Sequence, residues 1–165
     1  MVLVKKYGLK AIIIPGLSIG IIIWTAFFIS HSGMISTGTR ADRAIFIEVF
    51  IAPFLLVIGG AVSEIFRRRE QQSAWTPGIP FFTGFLGAGT ATIMLFTGTA
   101  ITQYLPLLEP GLVPRLTYII GHVMMNMPII IIVSIVYALF SLAGGYGMHW
   151  KMKREEERKN FQKNS

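Results

Sequence analysis

Four stretches of the chain are almost wholly apolar, at 11–30, 44–66, 81–101 and 116–142, and the segments between them are rich in Gly, Pro, Ser, Thr and charge. About 20 apolar residues carry a helix through the hydrocarbon of a bilayer, so each stretch predicts a transmembrane helix. Together they predict an all-α integral membrane protein, a compact bundle of four spanning helices over 1–150. The first stretch reads as an uncleaved anchor, because it outruns the ~7 to 15 apolar residues of a secretory signal and passes into Ile29-Ser30-His31-Ser32. The fourth has 27 residues (142 − 116 + 1), which predicts tilt.

The small and polar positions inside these stretches predict which faces pack. Gly16 and Gly20 are four apart, as are Gly84 and Ala88, and such small-residue pairs let helix backbones approach closely. In the second stretch Glu48, Ala52, Leu55, Gly59 and Ser63 share the smallest and most polar face, expected to point inward, while Phe46, Phe50, Phe54 and Ile58 are expected to face lipid. The third stretch has small residues on more than one face, which places it in the middle of the bundle. Its threonines are expected to satisfy their hydroxyls on backbone carbonyls. Pro53 and Pro128 each remove an intrahelical donor, so kinks are expected at both.

Tyr118, His122 and Asn126 recur every four residues and form a polar ladder on one helix face. Ionisable groups within a membrane are costly and point to a site, and Glu48 and His122 fall in the same outer half. The expectation is an intramembrane cluster of Glu48, Tyr118, His122 and Asn126, with Glu48 facing His122 and His31 or Asp42 as further members. Met125 shares the His122 face, and a thioether suits Cu(I), but one imidazole and one thioether do not make a site and no metal is expected. Glu64 lies one turn before Arg67, Arg68 and Arg69 and reads as a snorkelling surface pair.

Composition agrees with the pattern. The chain has 165 residues, is 53% hydrophobic and only 14% charged, with a mean hydropathy of +0.61, which leaves little room for a soluble domain. The formal charge of +7 would suit nucleic acid in a soluble protein, but here it reports sidedness. Lys5, Lys6, Lys10, Arg67, Arg68, Arg69, Lys151, Lys153, Arg154, Arg158, Lys159 and Lys163 fall on one side, and only Arg40, Arg43 and Arg115 on the other. Twelve against three predicts cytoplasmic N and C termini and a charged cytoplasmic tail, 151–165. With no cysteine there is no disulfide or thiolate site, and no phosphate-binding glycine motif or Ser/His/Asp set is present.

Two features point outward. The loop at 102–114 spaces Pro106, Pro110 and Pro114 by four, with Leu105, Leu107, Leu108, Leu112 and Val113 between them, an apolar patch of the kind that marks an interaction site. The tail pairs Lys151 with Glu155 and Lys153 with Glu157 at helical spacing. Glu48 before Pro53 and His122 before Pro128 also form a faint internal echo. The resulting expectation is a small non-catalytic accessory subunit of a larger membrane complex, such as a respiratory or metal-dependent oxidase or oxygenase. Its partners would be the lipid bilayer of a prokaryotic plasma membrane and other membrane-protein subunits, with no cofactor and no nucleic acid. The alternative is a small oligomeric carrier or channel with a proton-sensitive Glu/His site.

Overall fold

The computed structural model describes residues 8–31, 47–69, 75–101 and 112–164, and among them there is helix and turn but no strand. The helices are α1 (Gly8–His31), α2 (Ala52–Arg69, entered through a π-helical turn at Ile47–Ile51), α3 (Gly78–Thr99), α4 (Leu112–Met125) and α5 (Met127–Asn164). Four segments are long and apolar enough to cross a membrane: Lys10–Ile29, Ile47–Arg69, Gly78–Thr99 and Met127–Gln162. The loop at 102–111, together with Arg40, Asp42, Arg43 and Phe46, lies outside the described residues, as do the side chains of His31 and Arg115.

Helices α2 and α3 occupy the middle. Helix α1 packs on α3 and α2, and α5 packs on α2 and α3 from the other side. In lipid the hydrophobic effect does not drive helices together, so close packing must, and glycine sets how close they come. A Cβ on Gly16 would stand 3.0 Å from the Thr83 carbonyl oxygen, and one on Gly20 would stand 2.7 Å from that of Gly87. A Cβ on Gly84 would overlap Ser141 and one on Gly59 would overlap Ile19. Ala88 joins Ile19, Ile23, Ala52, Leu56 and Ala91 in the core. Phe50, Phe54 and Ile58 are exposed on the outside of the bundle.

The prolines explain much of the cross-helix bonding. Pro15 has no N–H for the carbonyl of Ala11, one turn earlier, and that oxygen lies 3.3 Å from the Thr83 hydroxyl of α3, which also bonds the Ile79 carbonyl of its own helix at 2.9 Å. At Pro53 the backbone widens into the π-helical turn, whose five-residue spacing would match Pro53 with the carbonyl of Glu48; the Tyr137 hydroxyl from α5 donates to that oxygen at 2.9 Å. Threonines elsewhere bond their own helix, Thr92 to Ala88 at 2.8 Å and Thr99 to Leu95 at 2.9 Å.

The fourth apolar stretch is interrupted beside Pro128, where a kink is expected, and more sharply than a kink. It is not one tilted helix over 116–142: the chain breaks at Asn126, two residues before Pro128, into α4 and a separate α5. The Asn126 N–H donates to Val123 at 3.1 Å, a tightened turn, and its side-chain amide takes over the His122 carbonyl at 2.8 Å. Pro128 falls in the first turn of α5, where a missing N–H costs nothing. At the other end Gly144, Gly145 and Gly147 do not end the helix. Helix α5 runs on through Asn164, so the charged tail is its continuation.

Candidate functional site

The densest polar cluster among the described residues lies at the basic end of the bundle, where α2 and α5 come together. A Cβ on Gly60 would overlap the Ser141 carbonyl, and one on Gly144 would overlap the carbonyl of Val57. With the backbones this close, the two helices run side by side toward the same end, and one turn beyond Gly60 and Gly145 they present Glu64 and His149. Ser141 also donates from its hydroxyl to the Pro80 carbonyl at 2.7 Å, tying the start of α3 to the same place.

Glu64 is fully buried, which corrects its reading as an exposed snorkelling pair. Its Oε2 accepts Arg67 Nε at 2.6 Å and its Oε1 accepts Arg67 Nη2 at 2.6 Å, a bidentate pair within α2. The same Oε1 lies 2.9 Å from His149 Nδ1 and 3.4 Å from Arg68 Nε. An ionised carboxylate only accepts, so Nδ1 carries the hydrogen of that contact and Arg68 Nη2 donates to the His149 carbonyl at 3.3 Å. Arg68 Nη1 reaches Glu156, about two turns further along α5 than His149. The Trp75 ring covers the imidazole, with centroids 4.9 Å apart.

Two carboxylates therefore meet two guanidiniums around one imidazole, and Glu64 and Arg67 share all the polar contacts that their burial demands. A buried ion pair is tolerated on those terms. Such an arrangement holds helices. The sequence did contain a signal for it: glycines at 60 and at 145, each four residues before a polar side chain, on two stretches that end at the basic side. Helical spacing around Glu64 was legible, but the partner 85 residues away was not.

The expected intramembrane cluster is only partly assembled. Tyr118 and His122 stack with ring centroids 6.2 Å apart and Asn126 caps His122, so the ladder on α4 exists, and the Phe96 ring of α3 meets His122 edge-on at 5.9 Å. Glu48 is not paired with the ladder. It sits in the π-helical turn with its side chain exposed, and no ion pair joins it to His122 among the described residues. The physical reason is the wide turn before Pro53, which shifts the register of Glu48 relative to the α-helix that follows. Met125 is 85% exposed and does not turn toward the bundle with His122. Among the described residues no three His, Asp or Glu side chains are grouped to hold a metal ion.

Glu48 instead lines a partly open cavity of about 180 Å³ between α1, α2, α3 and α5. Its walls are apolar, with Ile23, Leu56, Leu95 and Val133 among them, and three aromatic rings, those of Phe27, Phe96 and Tyr137, belong to the lining. Comparison with known proteins gives no match to a family model, a curated protein or a solved structure.

Proposed function

We propose that the chain crosses the plasma membrane of a prokaryotic cell four times with both ends cytoplasmic, and that it serves as a small non-catalytic accessory subunit of a larger membrane complex. The observation that carries this reading is the form of α5. Its apolar part gives way at Trp150 to an exposed charged extension, Lys151 to Asn164, with no break in the helix. At 1.5 Å per residue those 14 residues reach about 21 Å beyond the bundle. The extension is also anchored, since Glu64 bonds His149 and Arg68 bonds Glu156.

A charged helix held in a fixed direction is a preordered docking element, which loses little conformational freedom when a partner binds. Its mixed charges, including Lys153, Glu157, Arg158 and Lys159, give register and orientation more than raw affinity. The staple at its base is best explained as the device that keeps it rigid. The carrier reading draws its support from the Glu48 cavity; no ion pair joins Glu48 to His122 among the described residues, although Phe96 touches both surroundings.

Purification of the full chain from its native membranes tests the proposal. Partner proteins should co-purify with the unaltered chain and be lost when Lys153, Arg158 and Lys159 are all changed to Glu. An unchanged set of co-purifying proteins would overturn docking through α5. Solute uptake by vesicles containing only the purified chain would favour the carrier.

A further inference from the structure

The cavity between the four helices carries a second inference, independent of whether α5 docks a partner. Its volume of about 180 Å³ is enough for a group the size of benzene, which an apolar cavity of ~150 Å³ admits, and it is partly open. Ile23, Leu56 and Ala88, which line it, are core residues. A space of this kind favours one small ring or the end of an alkyl chain over water.

The polar groups are confined and of one sign. Glu48 brings a carboxylate with an exposed side chain, and among the described residues it makes no salt bridge. The Tyr137 hydroxyl is committed to the Glu48 backbone carbonyl, and Thr92, the other hydroxyl on the wall, is committed to the Ala88 carbonyl. Among the described residues no Lys, Arg or His lines the cavity. Among the described residues, a ligand there meets one carboxylate and three aromatic rings. A cation gains from both, because ring faces are negative and the surroundings are poorly solvated.

Depth fits this chemistry. Glu48 precedes Arg67 by 19 residues, about 28 Å along a helix, so with the arginines at one membrane face Glu48 lies near the other. There a carboxylate stays ionised at far lower cost than at the bilayer centre.

We propose that this cavity binds an amphiphilic cation: an ammonium group held at Glu48 against the rings of Phe27, Phe96 and Tyr137, with a short aliphatic or aromatic body filling the space toward Leu56 and Val133. The ammonium can belong to a free lipophilic amine or to the headgroup of a lipid whose chain enters between the helices.

The test uses the full chain in nanodiscs of phosphatidylglycerol, which has no ammonium, and measures equilibrium binding of hexyltrimethylammonium. Binding should saturate, and both the uncharged carbon isostere and hexanoate should bind at least about tenfold more weakly, from the summed ion-pair and cation–π contributions. Glu48→Gln should lose the ion-pair share of that factor, about two- to fivefold, and Glu48→Asp should recover part of it. Because Glu48 is exposed, both variants should keep the wild-type melting temperature, which separates lost binding from lost folding. Replacing part of the lipid with phosphatidylethanolamine distinguishes the sources: competition identifies a lipid ammonium, and unchanged affinity a free amine. Equal binding by wild type and Glu48→Gln, or equal binding of the cation and its uncharged isostere, would overturn the proposal.

Discussion

His149 Nδ1 lies 2.9 Å from Glu64 Oε1, and that contact joins α2 to α5 at the point where α5 leaves its apolar segment. The carboxylate is shared by Arg67 and His149, and neither Glu64 nor Arg67 is open to solvent. Glu64→Gln removes the countercharge of a buried guanidinium, so it should destabilise the chain in detergent by about 3 kcal/mol, the usual cost of stranding one member of a buried pair. Glu64→Gln combined with Arg67→Met should cost less than Glu64→Gln alone. Thermal unfolding of the single and double variants checks this, and additive losses would show that the pair does not act as a unit.

The glycines that bring α2 and α5 together should be intolerant in a graded way. Gly60→Ala and Gly144→Ala each put a methyl group into a backbone carbonyl of the other helix and should cost several kcal/mol or prevent folding. At Gly98 and Gly121 a Cβ meets nothing within 4 Å, so alanine there should be neutral or stabilise by up to ~1 kcal/mol through helix propensity. Melting temperatures of the four variants give the comparison. Similar losses at all four would mean that the close approach is absent.

The break between α4 and α5 depends on Asn126 and Pro128 acting together. Asn126 covers a carbonyl that the turn leaves without its usual donor, and Pro128 denies Met124 a partner. Changing Asn126→Leu with Pro128→Ala should restore the helical ladder and fuse the two helices. Spin labels at Ile120 and Ile132 would then separate toward about 18 Å, the rise of 12 helical residues, and a distance unchanged from wild type would assign the break to tertiary packing.

Sidedness has a direct assay because the chain has no cysteine. Single cysteines at Ser36 and Gln103 should react with an impermeant reagent in intact cells, and single cysteines at Ser73 and Gln162 should react only after lysis. The reverse pattern would invert the orientation that the twelve-to-three distribution of Lys and Arg implies.

The sequence by itself determined that four helices are long and apolar enough to cross a membrane, though not where the fourth begins, and it determined the basic end and the outward faces of Phe50, Phe54 and Ile58. These follow from transfer energy and helical period, which each residue carries with it wherever its helix goes. It also placed Tyr118, His122 and Asn126 on one face, because spacing by four is local. Only the tertiary structure decided that Glu64 is buried and Glu48 exposed, although both are carboxylates on apolar helices. The burial of Glu64 depends on Gly60 letting α5 close enough to bring His149, a residue 85 positions away, within bonding distance. The exposure of Glu48 depends on the wide turn before Pro53 and on Tyr137 arriving from α5 to occupy its carbonyl. A buried polar group is a property of two or more helices at once, so its partner cannot be read from the stretch that contains it.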